Sequence, residues 1–209
     1  MKLLKEDYSS DILKFLRKPA VQEAFTTGDI NTLYTKLAYT MLPEREIGQL
    51  TSIIFKLGIN PLNYLDSLPR CFLAGVKDID SLVIPSNIKE IEASGLRGCH
   101  LKEIIFEPNS QVSHLPSDVF EWCEELEHII LPDHLRVIGD YAFAHCTNLT
   151  EIELPDTVTT IKEYAISHCK NLKTIKLNEG LIVIEESAFN DCGALEELVI
   201  PKSVTKLGD

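Results

Sequence analysis

Apolar and polar positions from residue 71 to the end of the chain repeat on a period of 23 residues. Cysteines fall at Cys99, Cys123, Cys146, Cys169 and Cys192, spaced 24, 23, 23 and 23, and one further step back lands on Val76. Prolines keep the same beat at Pro85, Pro108, Pro132, Pro155 and Pro201, with Asn178 standing in once. A third ladder runs through Ile91, Leu115, Ile138, Ile161, Ile184 and Leu207. Between each Cys and Pro slot lies an L-x-x-I-x-L pattern, as in Leu126-Ile129-Leu131 and Leu149-Ile152-Leu154. Its last two ladder positions alternate as strand residues do, so each unit predicts a short strand. Proline then stops the strand, because it has no N–H to give to the next one. An apolar residue follows three positions on (Ile88, Leu135, Val158, Leu181, Val204), then the Ile ladder, then a small-aromatic pair such as Ala142-Phe143. A coil of this size cannot bury its own apolar set. Stacking coils covers each one with its neighbour, so the pattern predicts a solenoid whose strands align as a parallel sheet along one side. Only the stretch Glu107–Leu115 departs from the register, and its turn has no clear place in the pattern.

Upstream the beat gives way to helix punctuation. Asp11 is placed to cap Ile12–Lys18, Pro19 suits the first turn of a helix through Phe25, and Gly28-Asp29 opens Ile30–Met41. Pro43 starts a segment running to Leu57-Gly58, and Asn60-Pro61 begins a last short helix. Leu33, Leu37, Ile47, Leu50, Ile54 and Leu57 recur at three- and four-residue spacing, giving the helices a face to bury. Residues 1–70 therefore read as a small all-α domain capping the first coil of a solenoid over 71–209.

Units such as Leu149-x-x-Ile152-x-Leu154-Pro155-x-x-Val158-x-x-Ile161-x-x-x-Ala165-Ile166-x-x-Cys169 resemble the bacterial leucine-rich repeats of the BspA type. The resemblance implies an α/β solenoid, a right-handed leucine-rich repeat superhelix of about six coils, and a role in surface adhesion or protein interaction. The helical start, including Gly58-Ile59-Asn60-Pro61-Leu62, resembles short leucine-rich-repeat proteins of bacteriophage genomes. An apolar run of at least ~7 residues, as a secretory signal requires, does not follow Met1-Lys2-Leu3-Leu4-Lys5-Glu6-Asp7, so a cytoplasmic location is expected.

Charge sharpens the choice of partner. Residues 1–70 carry nine Lys/Arg against eight Asp/Glu, and residues 71–209 carry eleven against twenty-four, so the solenoid holds all of the chain's net charge of −12 and more. Such a surface repels phosphate backbones and anionic lipid, which excludes nucleic acid and membrane surfaces as partners and favours a basic protein. Because Leu207-Gly208-Asp209 repeats Ile138-Gly139-Asp140, the last coil reads as uncapped, and self-association through that edge is expected.

The residues that could carry chemistry read mostly as structural. One Cys per coil facing a dry core lacks the Cys-x-x-Cys pairing of zinc sites, and stacked Cβ vectors stay farther apart than the ~3.8 Å of disulfides, so buried thiols are expected. His145 and His168 each precede a core Cys, and in an extended stretch they face water, away from it. Trp122 shares their outward column, with Tyr141 and Tyr164 beside it, which makes a candidate contact patch. The favoured binding surface is the strand face turned away from the core. Its first column reads Ser81, Glu103, His128, Glu151, Thr174 and Glu197, its second Val83, Ile105, Ile130, Glu153, Lys176 and Val199. Four of the six in the second column are apolar at positions that meet solvent, which marks an interface rimmed by charge. Val83, Glu103, Ile105, His128, Ile130, Glu151, Glu153, Glu197 and Val199 are thus the candidate protein-binding residues. No phosphate loop, nucleophile elbow or metal-binding helix motif is present, and carboxylates on an open sheet lack a pocket to separate their pKa values, so neither catalysis nor a cofactor is expected. The expected function is a non-enzymatic protein-interaction module. The alternatives are a small intracellular, phage-encoded inhibitor that occupies a basic site on a host enzyme or nucleic-acid-binding protein, and a surface adhesion fragment of a longer protein.

Overall fold

The computed structural model of the chain describes residues 10–38, 42–74, 76–77 and 79–209. Met1-Lys2-Leu3-Leu4-Lys5-Glu6-Asp7, Met41 and the side chain of Leu37, all used above, lie outside the described residues.

The helices begin and end where backbone chemistry dictates. Helix α1 spans Ser10–Leu16, with Asp11 inside its first turn instead of capping it from outside. Helix α2 spans Pro19–Thr27 with Pro19 in its first turn, where the missing N–H costs nothing, and closes on Gly28 in the left-handed conformation (φ 72°). Asp29 accepts from the Thr32 N–H at 3.0 Å and caps α3, Ile30–Thr32, which continues as wide π-helical turns over Leu33–Ala38. Helix α4 spans Glu44–Lys56, and a short 3-10 turn at Pro61–Asn63 follows, capped by the Asn60 side chain on the Leu62 N–H. The rings of Tyr34 and Phe72 lie 5.6 Å apart, and Tyr34 hydrogen-bonds Thr51 at 2.7 Å inside the core. One apolar cluster runs without interruption from Ile12 in α1 to Ala188 in the coils, so the helices close the first coil's apolar end.

The coils carry two columns of strands where the pattern predicts one. The first column is β2 (Ser81–Ile84), β4 (Glu103–Phe106), β6 (His128–Ile130), β8 (Glu151–Glu153) and β10 (Thr174–Lys176). It forms two parallel sheets, β2-β4-β6 and β8-β10. The second column is built from the Ile ladder in two-residue strands: β1 (Ser67–Leu68), β3 (Glu90–Ile91), β5 (His114–Leu115), β7 (Val137–Ile138), β9 (Thr160–Ile161), β11 (Val183–Ile184) and β12 (Lys206–Leu207). Strands β5, β7, β9, β11 and β12 pair in parallel, and β1 pairs with β3.

A third side is held by corners. Ser94, Asp118, Tyr141, Tyr164 and Ser187 take positive φ, and so do Gly98, Trp122, His145, His168 and Asp191 four residues later in each coil. The turn between these corners gives three N–H groups to the next coil, as in Asp118 to Asp140, Phe120 to Ala142 and Trp122 to Ala144 at 2.9–3.0 Å. His145 therefore sits at a left-handed corner instead of in an extended strand. The outcome for its neighbour is as expected, with Cys146 fully buried.

The cysteine column has a hydrogen-bonding reason as well as an apolar one. The thiols of Cys123, Cys146, Cys169 and Cys192 donate to the carbonyls of Leu96, Phe120, Phe143 and Ile166 in the preceding coil, at 2.9–3.2 Å. Burial pushes the Cys146 and Cys123 thiols up from their ordinary range, which keeps them protonated donors. All six cysteines are free, yet the sulfurs of Cys99 and Cys123 approach to 3.0 Å, closer than parallel Cβ vectors predict. The irregular stretch also finds its place. Asn109 takes positive φ (64°), which absorbs one extra residue after Pro108 and returns the buried Val112 to the slot held by Ile88 and Leu135.

Candidate functional site

The outward face of the first strand column is positioned by the core beneath it. In β2 and β4, Leu82, Ile84, Ile104 and Phe106 point inward and are buried, which turns Ser81, Val83, Glu103 and Ile105 outward. The parallel register aligns Ser81 with Glu103 and Val83 with Ile105, then Glu103 with His128 and Ile105 with Ile130. Strands β8 and β10 align Glu151 with Thr174 and Glu153 with Lys176. The two columns read from the sequence are thus neighbours in space across these strands. Glu197 and Val199 follow in the last coil, in a segment that carries no strand.

A groove of about 900 Å³ opens over β6, β8, β10 and the last coil. Glu103, His128, Ile130, Glu151, Glu153, Glu197 and Val199 line it, whereas Val83 and Ile105 do not. Ile130 is 57% and Val199 68% exposed, large values for β-branched apolar side chains. The lining holds six glutamates against two lysines, Lys173 and Lys176. Lys176 meets Glu153 at 2.6 Å, and that contact raises its pKa. Glu179, Glu196 and Lys173 also face the groove and were not singled out by the column pattern, because they lie outside its two columns: Lys173 one residue before β10, Glu179 three residues after it, and Glu196 beside Glu197 in the strandless last coil.

The corner rows form a second exposed surface. Trp122 stacks on His145 with ring centroids 3.7 Å apart, and His145 on His168 at 4.5 Å; Tyr141 stacks on Tyr164 at 5.1 Å in the parallel row. The short separations follow from the coil spacing of about 4.8 Å, which brings equivalent side chains into van der Waals contact. Burial, and then the neighbouring His168, hold the His145 pKa below its ordinary value. His168 hydrogen-bonds Asp191 at 2.8 Å, and His100 hydrogen-bonds Glu125 at 2.7 Å, which lowers the Glu125 pKa. Among the described residues no group of three or more His, Cys, Asp or Glu side chains is arranged to hold a metal ion, and no helix is long and apolar enough to cross a membrane.

Comparison with known proteins agrees with this architecture. No curated protein matches the chain by sequence. Among solved structures, a leucine-rich repeat protein from Bacteroides ovatus is 27% identical over 69% of this chain and 43% of its own, with a TM-score of 0.56. A T. pallidum leucine-rich repeat protein is 26% identical over 68% of this chain and 73% of its own, with a TM-score of 0.58. A leucine-rich cell surface protein from Faecalibacterium prausnitzii is 29% identical over 69% of this chain and 39% of its own, also with a TM-score of 0.58. The chain thus spans about two fifths of the length of the first and third of these proteins. The BspA type Leucine rich repeat region matches residues 66–149 and 113–209 in 6 copies, and the chain belongs to that family.

Proposed function

We propose that the chain is a non-enzymatic interaction module whose strand face takes a protein partner of basic character. The observation that carries this reading is the groove over β6, β8, β10 and the last coil, where exposed Ile130 and Val199 stand among six glutamates. Apolar anchors framed by one sign of charge combine water exclusion with electrostatic steering. A rigid solenoid also presents such a surface without ordering cost at the moment of binding. The free thiols suit a reducing compartment and so a cytoplasmic module.

The test is affinity capture from source-cell lysate at low and high salt with the intact chain, set beside an Ile130→Asp, Val199→Asp double variant. A stoichiometric basic partner, lost at high salt and lost in the double variant, supports the reading. A partner retained by the double variant refutes the groove. Competition with nucleic acid for that partner would favour the inhibitor form of the same reading, in which the groove covers a basic site on a host protein. The leucine-rich cell surface protein of F. prausnitzii favours the adhesion form, and binding to intact cells discriminates it. Exposed Val199 also offers a contact to a second copy, which sedimentation of the double variant tests.

A further inference from the structure

The row of rings at the second corner stops abruptly. His168, His145 and Trp122 occupy equivalent positions in three consecutive coils and stack face to face, within 8° of parallel. One coil earlier the equivalent position is Gly98, whose N–H bonds the Glu121 carbonyl at 2.7 Å beside Trp122. Gly98 has no side chain, and apart from its chain neighbours Arg97 and Cys99 a Cβ built on it would meet nothing within 4 Å. One face of the Trp122 indole is covered by His145, Gly98 supplies no ring to cover the other, and the residue is 43% exposed. The indole is also held in place, since its Nε1–H donates to Glu121 at 3.1 Å and Glu121 in turn pairs with Arg97 at 2.6 Å. Acidic groups surround the stack: Glu124, two residues on, is exposed, and both Glu121 and Glu124 act on His145 to favour a positive charge there, with Lys170 acting less strongly against it.

We propose that the open face of Trp122 is a cation-binding platform that takes an arginine side chain of a protein partner. An indole face attracts cations through its quadrupole more strongly than any other side-chain ring. A planar guanidinium lies flat on it and continues the stack in the place that Gly98 leaves, while its remaining N–H groups reach the exposed carboxylate of Glu124. A lysine ammonium is compact and strongly hydrated, and fills neither the plane nor the gap. The platform lies on the corner row, away from the strand-face groove, so it stands or falls independently of the groove.

Trp122 is the chain's one tryptophan, so its emission reports this site alone. The probe is a tri-arginine peptide titrated into the intact chain, with tri-lysine and a neutral oligosaccharide as comparators. The expected result is a saturable change in emission with tri-arginine and a weaker one with tri-lysine. Gly98→His should abolish the response, because a histidine at this left-handed corner, as at His145 and His168, stacks on the open face. Calorimetric binding of tri-arginine to Trp122→Leu should weaken about two- to fivefold, the worth of an exposed cation–π contact. Equal responses to tri-arginine and tri-lysine, or an unchanged response in a Gly98→His chain with a wild-type melt, would overturn the proposal. A response to the oligosaccharide alone would also overturn it and assign the face to sugar stacking.

Discussion

Replacing Gly48 with alanine sets two physical effects against each other. Gly48 lies inside α4, where alanine is favoured over glycine by about 1 kcal/mol of helix propensity. A Cβ at this position, however, would stand 1.9 Å from the Ala74 carbonyl oxygen and under 3.0 Å from the Ala74 carbon and nitrogen. Backbone lies on both sides of the contact, so no flexible side chain can swing away, and α4 must retreat by more than about 1 Å to restore ordinary contact. A gap of that size forfeits up to about half of the dispersion well for every pair it opens, and the helix buries Ile47, Leu50, Ile53 and Ile54. Overpacking of this kind costs about 1–3 kcal/mol or more. The clash therefore wins, and a net loss of about 1–2 kcal/mol is expected, concentrated in the helical end. Urea unfolding followed by far-ultraviolet circular dichroism for the helices and by Trp122 emission for the coils should show the helical transition moving to lower denaturant first. Gly58→Ala is the control: its φ is 78° with nothing within 4 Å of a Cβ, so it carries only the left-handed penalty of about 1–2 kcal/mol. A Gly48→Ala chain as stable as wild type, or more so, would refute the close approach of α4 to Ala74.

Three further outcomes follow from the coils. Cys146→Ala should cost about 1–2 kcal/mol by urea midpoint, since it empties a fully buried site but leaves the Phe120 carbonyl its bond from the Cys123 N–H; Cys192→Ala, half-buried, should cost less. Because the folded His145 pKa lies below its ordinary 6.5, the unfolded chain takes up the proton first. Stability present above that value is then lost as pH falls below it through the folded value, and His145→Asn should flatten the curve of midpoint against pH on the acid side of 6.5. Asn178→Leu should cost about 1–3 kcal/mol in thermal or urea unfolding, because the Asn178 amide is the donor to the buried-side carbonyls of Asp156 and Val158.

The strand-face columns were legible because a strand of three or four residues shows its alternation, and Ser81, Glu103 and His128 do align as their spacing implies. The second strand column was not, since two residues such as Val137-Ile138 are too short for a period of two to appear, although the β-branched residues before Ile138, Ile161 and Ile184 were a usable sign. The corners were misread around His145-Cys146 because nothing local distinguishes an extended residue from a left-handed one. Gly98, Asp191 and Ser187 in the corner columns, residue types that tolerate positive φ or cap turns, were the signal available. Asn178 in a proline slot also had a legible oddity whose reason needed the fold: its amide reaches the two carbonyls that Thr157, one coil earlier, serves at the equivalent pair Asp133 and Leu135.

Surface chemistry in this solenoid is free to vary in a way that its core is not. Every inward position answers to both neighbouring coils, as the thiol of Cys146 answers to the Phe120 carbonyl, so a change there is felt across two interfaces. Outward positions on the strand face and at the corners answer only to the residue stacked above and below. Along the strand face this freedom produces a change of character, from Val83, Ile105 and Ile130 to Glu153 and Lys176, at the place where the sheet itself divides between β6 and β8. At the corner it produces the step from Trp122 to Gly98, which uncovers a ring without disturbing the backbone bond from Gly98 to Glu121. Both discontinuities lie where equivalent residues in adjacent coils stop matching. A partner that reads the chain by such mismatches, with an apolar anchor at Ile130 and a cation over Trp122, would find its register along an otherwise repetitive surface fixed to a single coil.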